Sequence, residues 1–289
     1  MLELREVVKQ FGKNPPAVDG ITLSLGPGVI GLIGHNGAGK STLMQMIATL
    51  TRPSRGQILF NGTDIVRHPD AIRRRLGYLP QDFGVYPNLS ALEFMQYFAA
   101  LKGVRDPGRI RYLLELVNLH DKAHRPAASF SGGMRRRLGI AQALLNDPDI
   151  LVVDEPTAGL DPEERLRFRN LLGELGHQKL VIISTHIVSD VESIADQLAI
   201  IRSGKLTVCA SPESILKNAR GRVWQVLVDS ATHEHLRDSV QVLAAQRNDQ
   251  QMQLRIAHAH EPWPGSLAVE PTLEEALMVQ RYAVQELAA

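Results

Sequence analysis

The sequence predicts an α/β fold in which helices cover a mostly parallel sheet. Three observations carry this expectation. Residues 150–153 and 180–184 are almost purely Ile, Leu and Val, as strands buried on both faces are. Short apolar runs alternate with helical stretches through the first 220 residues, the pattern of βαβ units. Between 84 and 148 the strand signal disappears and helical patterns take over. That stretch reads as an all-helical insertion in the α/β layer.

The elements follow in order. Residues 1–9 alternate apolar and charged side chains, as a strand does. Strands are expected at 29–33, at 57–60 (closed by an Asn61-Gly62 turn), and at 77–79, 150–153, 180–184 and 197–201. A helical stretch occupies 42–50. Ser90 and Glu93 form a capping box that opens a helix to about Leu101. Further helices are expected near 109–117 and 132–145. Ser211 as N-cap and Pro212 at the first position open a helix over 212–219. The tail offers strands near 224–228, 240–244 and 253–256. A last helix over 273–285 has Thr272 as N-cap and Glu275 completing its capping box. No internal repeat or low-complexity segment is found.

Composition sets the limits. The chain has 289 residues, 44% hydrophobic and 22% charged, so it can bury a core. Lys plus Arg number 32 and Asp plus Glu 31. That balance lacks the positive excess of a dedicated nucleic-acid binder. Charge is uneven, however. Residues 221–289 hold five Arg and no Lys against nine acids. A boundary near Gly221 is therefore expected, giving a domain over 1–220 and a small α+β appendage over 221–289. The single cysteine, Cys209, excludes a disulfide framework and a cysteine-built zinc site, and reads as a buried strand thiol. The run from Ile21 to Gly39 lacks Asp, Glu, Lys and Arg, yet its six glycines, Pro27, His35 and Asn36 disqualify it as a membrane helix. The N-terminus has no apolar signal-peptide core. A soluble, unsecreted chain in a reducing, cytosolic compartment is the expectation.

Two stretches carry chemistry. Gly34-His35-Asn36-Gly37-Ala38-Gly39-Lys40-Ser41 fits G-x-x-x-x-G-K-[ST] between a strand and a helix. Glycines let the backbone turn its N–H groups onto phosphate oxygens, and the following helix adds its positive end. Lys40 reaches the β- and γ-phosphates, Ser41 offers a hydroxyl to Mg²⁺, and Thr42 beside it belongs to the same nucleotide-contacting set. The second stretch is the apolar strand ending in Asp154 and Glu155. A carboxylate there can hold the metal through water, which suits Asp154. Strand neighbours face opposite sides, so Glu155 points elsewhere and can serve as general base.

Between and after these lie Phe130-Ser131-Gly132-Gly133-Met134-Arg135-Arg136-Arg137-Leu138, then Asp154-Glu155-Pro156-Thr157-Ala158-Gly159-Leu160-Asp161-Pro162, then His186. Over about residues 1–215 the sequence resembles the nucleotide-binding subunit of an ABC transporter. It most resembles the bacterial exporter-type branch, in which ATPase and permease are separate chains. The tail from Pro271 to Leu277 resembles that branch's accessory tail. The resemblance implies a P-loop NTPase fold of the ABC-ATPase kind: a mostly parallel core sheet, an antiparallel β subdomain and a helical insertion. It implies that Gln81 touches Mg²⁺ and senses the γ-phosphate, and that His186 contacts the γ-phosphate. It also implies that Phe11 stacks on adenine and that Asp161 meets the partner subunit. Asp161 also suits an N-cap, since Pro162 follows. The resemblance further implies that Ser131, Gly132 and Gly133 cap the ATP held by the other subunit's phosphate loop. The usual pattern has Leu and Gln where this chain has Phe130 and Met134; Met134 brings no side-chain amide.

The implied protein binds ATP and Mg²⁺ and pairs with itself or a related ATPase. It drives export through a permease touched by the segment after Gln81 and by the helical insertion. It sits on the cytoplasmic face of the membrane and binds no nucleic acid. A non-transport relative acting on nucleic acid or the ribosome is the second reading; a binding-only regulatory subunit is disfavoured by Glu155 and His186. The triplets Arg73–75 and Arg135–137 spread over about 200° of a helix and read as solvated or salt-bridged. The pairs His233/His235 and His258/His260 read as surface histidines.

Overall fold

The computed structural model describes residues 1–229, 232, 233, 236, 239–248 and 251–286, with side chains through Gln280 in the last helix. The chain divides into two compact units, Met1–Cys209 and Ala210–Ala289. This division comes before the expected Gly221. The reason is that the helix over 212–219 packs on the C-terminal helix. His235 lies outside the described residues.

The first unit contains β1 (Leu2–Lys9), β2 (Val18–Leu25), β3 (Gly28–Ile33), α1 (Lys40–Ile47), β4 (Arg55–Phe60), β5 (Thr63–Asp64), α2 (Asp70–Arg73) and β6 (Leu76–Leu79). Then come α3 (Ala91–Lys102), α4 (Pro107–Leu116), α5 (Gly132–Ala143), β7 (Ile150–Asp154), α6 (Pro162–Gly176), β8 (Leu180–Thr185), β9 (Gln197–Arg202) and β10 (Lys205–Ala210). Two sheets result. An antiparallel sheet has the order β2-β1-β4-β5, and a six-stranded sheet has the order β10-β9-β3-β8-β7-β6. In the second sheet β9, β3, β8, β7 and β6 run parallel. Every residue of β3, β7 and β8 is buried, as their apolar runs require. The Asn61-Gly62 turn closes β4 onto β5 with φ of 48° and 80°, the paired positive values that Asn-Gly tolerates in a two-residue hairpin.

The helical insertion starts where expected. Ser90 and Glu93 form the capping box of α3, Asp106 caps α4 with Pro107 following, and Ser131 caps α5. Helices α3 and α4 pack on α5, and α5 packs on β6, which fixes the insertion to the parallel sheet.

Two of the longer strands escape the sequence reading. In β2 the alternation of Ile21, Leu23 and Leu25 sits inside the uncharged run that draws attention as a membrane candidate. In β10 Leu206, Val208 and Ala210 alternate with Lys205, Thr207 and Cys209, but at the sheet edge none of them is fully buried. Cys209 on β10 is exposed, which corrects the expected buried thiol.

The second unit holds α7 (Pro212–Ala219), β11 (Val223–Val228), β12 (Gln241–Asn248), β13 (Gln251–Ala257), β14 (Leu267–Ala268) and α8 (Leu273–Glu286). Its antiparallel sheet runs β12-β13-β11-β14 around Val226, Val228, Leu254 and Ile256. Thr272 and Glu275 cap α8 reciprocally, and Arg255 pairs with Glu275.

Candidate functional site

Parallel pairing puts the loops after β3, β6, β7 and β8 at one end of the sheet, where α/β folds bind ligands. The loop after β3 is the phosphate-loop sequence. Gly39 has φ 107°, and a Cβ there would lie 2.1 Å from the Ala17 carbonyl oxygen, so only glycine fits. Lys40 begins α1 and is 5% exposed. Its ammonium folds over the loop and donates to the carbonyls of Gly34 at 2.7 Å and His35 at 3.2 Å. Burial pulls the Lys40 pKa below the ordinary lysine value, against the opposing pull of Glu155 and Asp154. A cleft of about 450 Å³ opens here, lined by Asn36, Gly37, Lys40, Ser41, Thr42, Gln81 and Glu155 among others. Ala38 lies beneath it, buried.

Asp154 ends β7 at 2% exposure. Its carboxylate accepts a hydrogen bond from the Ser184 hydroxyl on neighbouring β8. Glu155 follows with φ 42°. Its N–H donates to the Ser184 hydroxyl at 2.9 Å and to the Ser184 carbonyl at 3.2 Å. This left-handed backbone, held by Ser184, turns Glu155 aside; the pleat alternation expected from sequence is not the cause. Glu155 Oε1 lies 3.3 Å from His186 Nδ1 and 3.9 Å from Lys40 Nζ. Glu155 Oε2 accepts from Gln81 Nε2 at 3.3 Å. Three residues singled out separately in the sequence, Lys40, Gln81 and His186, therefore converge on the carboxylate of a fourth, Glu155.

The remaining candidates lie apart from that carboxylate. Ser131 caps α5, its hydroxyl accepting the Met134 N–H at 3.2 Å. Gly132 lines a second cleft of about 580 Å³ that shares Gln81 with the first; Gly133 is buried beside Glu164. Asp161 caps α6, accepting the Glu164 N–H at 2.9 Å, with Pro162 at the first position. Phe11 is 48% exposed after β1, with Lys9 Nζ 4.8 Å from its ring centre. Among the described residues, no group of three or more His, Cys, Asp or Glu side chains could hold a metal. The Ser41 hydroxyl, the Gln81 amide and the Asp154 carboxylate, the groups expected to meet a metal, each carry an oxygen donor. Such a set suits Mg²⁺, which takes few protein ligands beside phosphate oxygens.

Besides Ser184, two residues escaped sequence reasoning. Arg136 is 8% exposed, which corrects the solvated or salt-bridged reading at this member of its triplet, while Arg135 is exposed as expected. Its guanidinium donates to the carbonyls of Pro80 (2.8 Å), Gln81 (2.6 Å), Asp154 (3.2 Å), Glu155 (2.6 Å) and Pro156 (3.3 Å). Burial lowers its pKa, opposed by Asp154, Asp82 and Glu155. Arg137 pairs with Glu164 at 3.1 Å, as a salt-bridged reading allows. The missed signal was spacing: Gly133, Arg136, Ile140 and Ala143 lie three or four apart on the buried stripe of α5. Asp190 is the other. It is 4% exposed and accepts from Thr157 Oγ1 at 2.5 Å and Thr185 Oγ1 at 3.4 Å. It thereby links the loop after Glu155 to the strand end before His186.

The family described as ABC transporter matches residues 18–158. The Nod factor export ATP-binding protein I of Cupriavidus metallidurans is 34% identical over 270 residues, 91% of this chain and 88% of the relative. The methionine import ATP-binding protein MetN of Corynebacterium glutamicum is 35% identical over 244 residues, 80% of this chain and 68% of the relative. Among solved structures, a dimeric bacterial ABC transporter cassette superposes with a TM-score of 0.67 at 25% identity, covering 73% of this chain and 98% of the cassette. The same cassette is known in a post-hydrolysis dimeric state bound to ADP and Pi.

Proposed function

Since this chain belongs to the ABC transporter family as an ATP-binding, ATP-hydrolysing subunit, we propose that two copies, or one copy and a related ATPase, close around two ATP molecules to drive export through a separate permease. The observation that carries the hydrolytic part is the convergence of Lys40, Gln81 and His186 on Glu155 beside the phosphate loop.

In this reading the N–H groups of residues 34–42 and the Lys40 ammonium bind the phosphates of ATP. Glu155 takes the proton of the attacking water as general base. His186 Nδ1 and Gln81 Nε2 fix the two oxygens of that carboxylate. Phe11, exposed after β1, stacks on the adenine ring. Ser41, Gln81 and Asp154 are the groups that would hold Mg²⁺. When bound, the ion offsets negative charge on the phosphates.

Dimerisation is supported by the split of the site. Gly132, the residue after Ser131, lines a different cleft from Lys40, and a partner chain would bring the two sets onto one nucleotide. The dimeric cassette agrees with a partner supplying the second set. Asp161, at the start of α6, then faces that partner.

A permease is supported by two observations. No described helix is long and apolar enough to cross a membrane. Next to Gln81, Phe83, Phe94, Phe98, Tyr86 and Tyr97 form an aromatic cluster, and Tyr86 and Tyr97 are 49% and 45% exposed. That surface suits a partner helix with an apolar face, and docking there would hold the chain on the cytoplasmic side of the membrane. Export is favoured over import by extent of likeness. The Nod factor export relative matches 91% of this chain, the methionine import relative 80%. The second unit is read as an accessory domain of that branch.

Glu155→Gln tests the proposal. The variant keeps the shape of the side chain and loses its basicity, so turnover falls at least about 100-fold. ATP binding persists, and an ATP-bound dimer accumulates in gel filtration. Undiminished hydrolysis would overturn the role of Glu155.

A further inference from the structure

We infer that Arg136 is a positioning residue that locks the two catalytic loops to helix α5. The inference rests on the roles proposed above for Gln81 and Glu155. One guanidinium spans two segments far apart in sequence: Pro80 and Gln81 after β6, and Asp154, Glu155 and Pro156 after β7. All five acceptors are main-chain carbonyls, so Arg136 sets backbone positions and leaves the Gln81 and Glu155 side chains free for their own contacts. The flat, forked guanidinium can reach two loops at once. A lysine ammonium concentrates its donors at one point and cannot.

The position of Arg136 gives the lock a direction. It lies on the second turn of the helix whose first turn is Gly132-Gly133, capped by Ser131. In the proposed dimer that first turn meets the nucleotide held by the partner's phosphate loop. Gln81 and Glu155 act on the nucleotide held by the same chain. A shift of α5 on contact with the partner's nucleotide is thus passed through Arg136 to the loops serving the chain's own nucleotide. Arg136 makes the two ATP sites cooperate. Displacing reacting groups by about 1 Å costs on the order of 100-fold in rate, so a modest loosening of these loops is visible in turnover.

Three variants test the inference by steady-state ATP hydrolysis at varied ATP, with thermal unfolding alongside. Arg136→Lys keeps the charge and loses the fork. Arg109→Lys is the control: Arg109 also clamps carbonyls, of Leu144 and Leu145, on the helical insertion away from the catalytic loops. Glu155→Gln reports separately on the catalytic assignment. The expected result for Arg136→Lys is a kcat at least about tenfold lower, a KM for ATP close to that of the parent, and a Hill coefficient falling toward 1. Arg109→Lys keeps kcat and cooperativity. If Arg136→Lys does not fold, Arg136→Gln is measured in its place. Parental kcat and Hill coefficient in the folded variant overturn the inference. So does failure of both Arg136 variants to fold while Arg109→Lys folds, which makes Arg136 purely structural. Inactive Glu155→Gln beside a fully active Arg136→Lys overturns the lock and leaves the ATPase assignment standing; active Glu155→Gln strikes at that assignment itself.

Discussion

Replacing Ser184 with alanine removes one oxygen that serves two neighbours. Ser184 is fully buried; its hydroxyl donates to the Asp154 carboxylate and accepts the Glu155 N–H at 2.9 Å. A hydrogen bond to a charged group contributes about 1.5–3 kcal/mol. The Glu155 N–H keeps the Ser184 carbonyl at 3.2 Å, so its loss adds only about 0.5 kcal/mol. The first unit should therefore lose about 2–3.5 kcal/mol of stability. Both tryptophans, Trp224 and Trp263, lie in the second unit, so urea unfolding followed by far-UV circular dichroism is the suitable assay. The left-handed backbone of Glu155 also loses a restraint, and kcat should fall about tenfold, equal to about 1.4 kcal/mol of transition-state stabilisation. A double-mutant cycle with Asp154→Asn isolates the cause: in that background Ser184→Ala should cost under about 1 kcal/mol, because the charged acceptor is gone. A stability change below about 0.5 kcal/mol with kcat within about twofold of the parent would refute the reasoning.

Two further outcomes follow from local geometry. Gly39→Ala should destabilise the first unit by more than about 2 kcal/mol and abolish binding of a fluorescent ATP analogue, since its Cβ meets the Ala17 carbonyl at 2.1 Å; Gly37→Ala bears only the strain of its φ of 79°, with open space around its Cβ, so it should lose less and still bind measurably, and equal losses at the two positions would count against the cradle geometry. Burial lowers the pKa of Lys102 from 10.5 to about 8. The folded state then holds fewer protons than the unfolded one between these values, so stability rises with pH across that window. Relative to Lys102→Met, the parent should gain up to about 2 kcal/mol between pH 8 and 9.5 in urea unfolding, and parallel pH profiles would contradict the shift.

What could be read in advance depended on where the information sits in the chain. The phosphate loop occupies consecutive residues, and the β7 and β8 runs announce their own burial, so the parallel sheet and the residues it presents were legible. Arg136, Ser184 and Asp190 were not. Each owes its importance to segments far away in sequence: Arg136 to residues 80–81 and 154–156, Ser184 to Asp154, and Asp190 to Thr157. A basic triplet looks like surface until the buried stripe of α5 is laid over it. The orientation of Glu155 was anticipated for the wrong reason, because a left-handed φ at a glutamate leaves no mark on residue type, as glycine or asparagine would. The boundary was displaced because the charge change marks a difference in surface, whereas the division follows which helices pack together.

The strand order has a bearing on how the protein is made. Strand β3, which carries the phosphate loop, pairs only with β8 and β9. During synthesis its edges stay unpaired until residues 180–202 have left the ribosome. Parallel pairing over such separations is slow to form, and an exposed apolar strand invites association with other chains. The cradle for ATP is thus among the last parts of the first unit to become usable. A nascent chain stalled before β8 holds the phosphate-loop sequence without the sheet that shapes it, and should need a chaperone before it can hold a nucleotide.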